Sequence, residues 1–278
     1  MRIKDTLARL DVRASKARGQ NFLIDETVVN HIYSQGNVIP GNNQRVIEIG
    51  PGLGAMTDLI VQSGNPVTVI EIEDKFCENL KTKFPGISIV NQDVRTVDFS
   101  SFGNDLIVYG NLPYSFSTEI LFHLIDHRSS IQRAVLMLQK EFVERMAASP
   151  GTKSYGTLSV GAQLFCQLTM GNIVPGNSFH PPTQVSSRVV TLTFVPEGRY
   201  PVKNYEWLRK VVKASFLQRR KKIVNSLRAS GLLQGKEPLA RIIEVFQSLG
   251  FDTNRRAETF SIEEFVALSD ALFLVRNQ

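Results

Sequence analysis

Ile47-Glu48-Ile49-Gly50-Pro51-Gly52-Leu53-Gly54 decides the fold. An apolar run that ends on closely spaced glycines reads as a buried strand passing through a tight turn into a helix. Working outward from it, residues 45–50, 67–71, 87–90, 106–109 and 134–138 have the Val- and Ile-rich character of strands covered on both faces. Between them, residues 55–63, 74–84 and 118–127 carry helical periodicity. This alternation predicts an α/β fold, a parallel sheet with helices on both faces. Residues 188–195 alternate and stop at Pro196, which predicts a late strand near an edge, and 196–201 reads as a linker. Beyond it, residues 205–230, 238–249 and 262–275 are helical in pattern and carry no strand signal. The predicted division is therefore 1–198 and 199–278, the second part small and all-helical.

The composition agrees with this reading. Of 278 residues, 42% are hydrophobic and 21% charged, which excludes disordered, collagen-like and membrane-spanning classes. No apolar run approaches the roughly 18 residues of a transmembrane helix. The first twenty residues mix charged and apolar types without a signal core, so export is not expected. Cys77 and Cys166 lie too far apart in sequence to suggest a disulfide framework or a zinc motif. The expected compartment is the cytoplasm.

Location gives the modest net charge of +6 its meaning. Residues 203–228 hold nine Lys/Arg and one acid, and residues 1–20 hold six basic residues and two acids, so the remainder is net acidic. Apolar residues at near-helical spacing anchor the first of these segments, and Arg219-Arg220-Lys221-Lys222 falls between the anchors. A cationic ridge held by a core suits a phosphate backbone, which favours a nucleic-acid partner over a merely solvated face.

The glycine loop has companions. Glu71 ends the second predicted strand, 21 residues after Gly50, where an acid accepts ribose hydroxyls, and Asp93 follows the third, placed to receive an adenine amine. Acids at strand ends are individually common, yet three ligand-ready groups at consecutive strand ends describe the crevice at a topological switch point. An adenosine-bearing cofactor is the favoured ligand. The loop lacks the Lys-Ser/Thr of a triphosphate cradle, and Ala55 stands at the third glycine position of a dinucleotide motif, where alanine is tolerated.

Asn111-Leu112-Pro113-Tyr114 follows the fourth predicted strand. Pro113 biases Leu112 toward an extended backbone. That arrangement aims the Asn111 side-chain oxygen and the Leu112 carbonyl at one point, as suits an exocyclic amine with two N–H donors. Tyr114 supplies an aromatic face for the attached base. By itself the tetrapeptide is equally a turn; behind the glycine loop it favours amine methylation.

These residues, with Gly-Gln-Asn-Phe-Leu at 19–23 and Phe-Leu-Gln-Arg-Arg-Lys at 216–221, occur in an order that resembles the KsgA-type ribosomal RNA adenine dimethyltransferases. The resemblance implies a Rossmann-like class I methyltransferase sheet, with a helical RNA-binding domain at 199–278. It implies transfer from S-adenosyl-L-methionine to two adjacent adenosines in a hairpin loop near the 3′ end of small-subunit ribosomal RNA. The partner would be the immature small subunit, met by a monomer without membrane attachment. It assigns cofactor binding to Asn21, Leu23, Gly50, Gly52, Glu71, Asp93 and Asn111. The catalytic loop would be Asn111, Leu112, Pro113 and Tyr114, with Phe179 stacking on the flipped base opposite Tyr114. RNA binding falls to Arg219, Arg220, Lys221 and Lys222. Gln184 stands where the family usually has a basic residue, and Arg18 where it often has an apolar one. The alternatives are a large-subunit enzyme of the antibiotic-resistance type and a non-catalytic assembly factor; a DNA adenine methyltransferase fits less well, its motif having Pro at the place of Leu112. The four histidines form no ligand set with cysteine, and no metal is expected.

Overall fold

The computed structural model describes residues 3–12, 21–233 and 237–276. Half of the basic N-terminal stretch, residues 1–2 and 13–20, falls outside them, Arg18 and Gly19 included. A short helix α1 (Ile3–Arg9), a two-residue strand β1 (Phe22–Leu23) and a helix α2 (Glu26–Gln35) precede the sheet proper. Asp25 caps α2, accepting from the Thr27 and Val28 N–H groups. Then follow β2 (Val46–Ile49), α3 (Thr57–Gln62), β3 (Val67–Ile70), α4 (Asp74–Lys83), β4 (Ser88–Val90), β5 (Leu106–Asn111), α5 (Ser117–Asp126) and β6 (Ile131–Gln139). These strands are parallel to one another: β2 pairs with both β3 and β5, β3 with β4, and β5 with β6. After β4 the chain crosses back over β2 to lay down β5, so the strand order reverses between β2 and β5. A crevice opens there, outside their carboxyl ends.

The chain continues through α6 (Lys140–Met146), α7 (Thr157–Phe165), β7 (Cys166–Val174), β8 (Phe179–His180) and β9 (Ser187–Phe194). The seven-stranded order is β4-β3-β2-β5-β6-β9-β7. As the late alternating run predicts, β9 lies near an edge: it is antiparallel to β6 and one place in from the end of the sheet, between β6 and β7. The edge belongs to β7, Cys-Gln-Leu-Thr-Met-Gly-Asn-Ile-Val, whose mixed polarity matches its exposed face and conceals it from a search for apolar runs. A separate two-stranded ribbon pairs β1 with β8 in antiparallel register, Phe22 opposite His180 and Leu23 opposite Phe179.

The sheet core joins Ile32 of α2 to Val46, Val69, Ile107, Tyr109, Val135 and Met137 on the strands. The Tyr109 hydroxyl donates to the Tyr33 carbonyl at 2.7 Å, tying α2 to β5 two residues before Asn111. No helix among the described residues is long and apolar enough to cross a membrane.

The last helices are α8 (Tyr205–Ser215), α9 (Ile223–Ala229), α10 (Pro238–Ser248) and α11 (Ile262–Val275). The helix expected over 205–230 is broken at 216–222, and the four-residue cationic run sits in that break. The Trp207 Nε1–H donates to the Ser269 carbonyl at 3.0 Å and joins α8 to α11. Ser261 and Glu264 form a capping box on α11, and Arg255 grips Glu264 with bonds of 2.6 and 2.8 Å while lying 3.9 Å from the Phe260 ring centroid.

Compactness divides the chain into Met1–Val143 with Gln167–Pro196, and Glu144–Cys166 with Glu197–Gln278. The second unit therefore includes a segment that the expected boundary at 198 assigned to the first. Its physical reason is local. Tyr155 packs edge-on against Phe216 at 6.1 Å, and Arg219 donates to the Lys153 and Tyr155 carbonyls at 2.6 and 3.0 Å.

Gly54 gives this architecture a test. Its φ is +80°, and a Cβ there would lie 2.7 Å from the Phe84 ring. Gly54→Ala should lose about 2–4 kcal/mol in urea denaturation, combining left-handed strain with overpacking.

Candidate active site

The crevice beyond β2 and β5 has a volume of about 1870 Å3, and every residue lining it belongs to the sheet unit. Small-molecule pockets usually hold about 300–1,000 Å3, so one compact ligand would leave room for a second. All seven residues expected at a cofactor, Asn21, Leu23, Gly50, Gly52, Glu71, Asp93 and Asn111, line this space.

The glycine loop forms one wall. Gly50, Gly52 and Gly54 have φ of +64°, +54° and +80°, a left-handed run that is strained for residues bearing side chains. The turns continue through Met56, so α3 begins at Thr57, two residues later than periodicity suggested. The Gly50 N–H donates to the Ile70 carbonyl at 2.9 Å and the Gly52 N–H to Glu71 Oε2 at 3.2 Å, joining the loop to the end of β3. Glu71 Oε1 accepts from the N–H groups of Ile72 and Glu73 at 2.9 and 3.0 Å. Of the four or so acceptor positions of a carboxylate, three are taken, and Oε2 is the freer oxygen. Burial pushes the Glu71 pKa upward despite these N–H donors.

Glu48 was not singled out by the sequence reading. It is 3% exposed, directly beneath the loop, and accepts from the Thr57 hydroxyl at 2.5 Å. Burial, with Glu71 and Asp58 nearby, pushes its pKa from an ordinary 4.5 to about 7. Only its place inside an apolar strand signalled an unusual carboxyl.

Asn111 ends β5. Its Nδ2 donates to the Asn21 carbonyl at 3.1 Å. Because a carbonyl accepts only from the amide nitrogen, this bond fixes the side chain and leaves Oδ1 as the acceptor on its other side. Asn111 and Pro113 line the crevice, whereas Leu112 turns its side chain into the core, 1% exposed, and donates its N–H to the Met137 carbonyl at 3.2 Å. Neither member of the expected aromatic pair, Tyr114 and Phe179, is among the residues that line the crevice. The Tyr114 hydroxyl lies 2.7 Å from Ser187 Oγ. Phe179 is 1% exposed and packed in the sheet core with Leu23, Tyr109 and Met137. Alternation along β8 is the cause: Phe179 points inward and its neighbour His180 lines the crevice.

Other lining residues came without a sequence signal. Ile3, Thr6, Arg9 and Leu10, on and just after α1, form one side; Leu7 is buried with Phe22 and Phe76, and the Arg9 guanidinium donates to Asn79 at 3.0 Å. Among the described residues, eight acidic side chains line the crevice (Glu26, Asp58, Glu71, Glu73, Asp74, Glu78 and Asp93, with the protonation-prone Glu48), and three cationic side chains oppose them (Arg9, Lys83 and Arg95). Lys83 is bound at 2.6 Å to Asp58. The field therefore favours a cationic ligand and opposes a diphosphate, which argues against NAD at this glycine loop.

Of the cationic run in the second unit, Arg219 is partly occupied. Besides the carbonyls of Lys153 and Tyr155, it lies 3.7 Å from Glu258. Lys222 donates to Asn254 Oδ1 at 2.6 Å, while Arg220 and Lys221 are exposed.

The family model for ribosomal RNA adenine dimethylase matches residues 12–268. The chain is 40% identical to ribosomal RNA small subunit methyltransferase A of Shewanella oneidensis, over 92% of this chain and 94% of the relative. It is 36% identical to the Bacillus mycoides protein of the same name, over 98% and 96%. Among solved structures, a dimethyladenosine transferase from Plasmodium falciparum superposes with a TM-score of 0.77 at 23% identity, covering 91% of this chain and 98% of that one. The 23S ribosomal RNA methyltransferase ErmE superposes at 0.68, also at 23% identity, covering 91% and 100%. At that identity the two structures speak to the fold.

Glu48 yields a prediction with a definite sign. Its native pKa is raised, so the native state holds a proton that the unfolded chain has released between about pH 4.5 and 7, and stability falls as pH rises through that window. In urea denaturation, Glu48→Gln should lack this fall and exceed the wild type at pH 8 by up to about 3 kcal/mol. The two proteins should be similar at pH 4.

Proposed function

The chain belongs to the ribosomal RNA adenine dimethylase family, and from that premise we propose that it dimethylates the exocyclic amines of two adjacent adenosines. These stand in a hairpin loop near the 3′ end of small-subunit ribosomal RNA, with S-adenosyl-L-methionine as donor. It is a methyltransferase with a class I sheet, working in our reading as a cytoplasmic monomer on the immature small subunit. The observation that carries the proposal is the Asn111 amide. It is fixed by Asn21 at the strand-order switch, with its oxygen as the acceptor on the other side.

The residues present suit the cofactor. Its sulfonium and ammonium are cationic, and the crevice is lined by carboxylates. Glu71 Oε2 would receive a ribose hydroxyl, Asp93 the adenine amine, and the chain near Asn21 and Leu23 the remaining edge. When bound, the cofactor supplies a methyl group already activated by positive charge, so the protein has no need of a strong base. Asn111 Oδ1 and the Leu112 carbonyl would accept the two N–H bonds of the target amine, favouring a pyramidal nitrogen whose lone pair faces the methyl carbon. This is catalysis by positioning, in which a misplacement of about 1 Å costs on the order of a hundredfold. After one transfer a single N–H remains, and the amine must turn before the second. The base reaches the crevice only when out of its stack, which an RNA loop permits most easily.

Labelled methyl donor and undermethylated small subunits supply the test: the label should lie on two adjacent adenosines of the small-subunit RNA. Label in large-subunit RNA would favour the antibiotic-resistance type, and no label the assembly-factor reading. Asn111→Ala should lower methyl transfer about a hundredfold or more, with RNA affinity within about twofold; near-normal turnover would remove Asn111 from the mechanism.

RNA affinity we assign to the turn between α8 and α9. Arg220→Ala with Lys221→Ala should weaken RNA binding and flatten its dependence on salt, by about 0.7–0.9 in log–log slope for each phosphate no longer neutralised. Arg219→Ala should instead lower stability by loosening the segment at Lys153 and Tyr155, read by thermal denaturation.

A further inference from the structure

Asp93 does not stand alone at its strand end. Arg95, two residues on, grips its carboxylate: Nε donates to Oδ1 at 3.0 Å and Oδ2 at 3.1 Å, and Nη2 to Oδ2 at 2.5 Å. The Arg95 backbone N–H adds a bond to Oδ1 at 3.0 Å. The same guanidinium lies over the ring of Phe116, 4.2 Å from its centroid. Asp93, Arg95 and Phe116 all line the crevice. One planar cation thus joins the turn after β4 to the turn after β5, a carboxylate along its edge and an aromatic ring on its face.

An exposed ion pair usually contributes little, because two long side chains must be ordered in water. This pair differs in geometry. The fork of the guanidinium meets both carboxylate oxygens, and the ring beneath restricts its rotation. The bond from Arg95 holds the Asp93 carboxyl below the usual carboxylate range. Three N–H groups thus occupy the carboxylate, Nε–H being shared by both oxygens, which leaves Asp93 about one acceptor position, of fixed charge and fixed orientation.

We propose that Arg95, seated on Phe116, is a positioning residue for adenine recognition: it holds Asp93 as the acceptor that reads the amine of the cofactor base. The inference rests on the reading that the crevice takes an adenosine cofactor. An adenine amine presents N–H to the carboxylate. A deaminated base presents a carbonyl oxygen there, and two acceptors repel. A carboxylate free to rotate could turn from the carbonyl toward water, so discrimination depends on its being held.

Calorimetry with the full chain tests this without turnover. The probes are S-adenosylhomocysteine and S-inosylhomocysteine, its deaminated counterpart. The wild type should prefer the adenine form by about tenfold to hundredfold, the range of a hydrogen bond to a charged group. Arg95→Ala should reduce the preference to a few-fold. Arg95→Lys should fail to restore it, since an ammonium offers neither the fork nor the stacking face. Phe116→Ala should lower the preference part of the way, and Phe116→Tyr should keep it. A wild-type preference retained in both Arg95→Ala and Phe116→Ala overturns the proposal, leaving Arg95 a surface partner of Asp93. If the wild type binds neither probe, the adenosine-cofactor reading itself fails, an outcome distinct from loss of discrimination alone.

Discussion

A single hydrogen bond, from Asn111 Nδ2 to the Asn21 carbonyl, decides which end of that amide is left to the crevice. An amide has one accepting end and one donating end, and the bond commits the donating end to the protein. Much of the fold serves that choice. The parallel pairing of β2 with β5 brings Asn111 beside the glycine loop, and the β1–β8 ribbon holds the chain just after Asn21 in place. The Tyr109 hydroxyl then fixes β5 from the α2 side. Without the ribbon the amide would be free to turn over.

Charge is distributed unevenly between the two units. The crevice collects carboxylates, which suit a small cation and repel a phosphate backbone, while the α8–α9 turn collects cations. A protein that brings a cationic methyl donor to a polyanion has reason to keep these fields on separate elements. Glu48 marks how far the crevice goes in this direction: a carboxyl is buried even though its pKa rises to about 7.

The sequence was most legible where one physical cause acted alone. Strands buried on both faces announced themselves by Val and Ile, and the glycine loop, Glu71, Asp93 and Asn111 followed from their places at strand ends. It was least legible where a residue has two neighbours to satisfy. β7 is apolar toward one side only and partly polar toward the other, so its pattern did not read as a strand. Phe179 reads as a stacking aromatic, yet the two-residue ribbon turns it into the core and gives the crevice His180. The cationic run is helical by spacing, but the Arg219 bonds to Lys153 and Tyr155 belong to a break between helices. Glu48 stood out only once its burial was known, and Arg95 only through its partners, Asp93 and Phe116.

The discontinuous second unit has a consequence for how this protein can be taken apart or recombined. The backbone passes between the units after Val143, after Cys166 and after Pro196, so no single cleavage separates them. Ending the polypeptide at 198 would strand α7 without α8 and α11, the helices it packs against, and bare Phe165, which meets Tyr205 edge-on at 4.6 Å. Apolar surface bared in this way invites aggregation. The architecture is therefore interleaved, and exchange between relatives must carry the inserted loop and the tail together or neither.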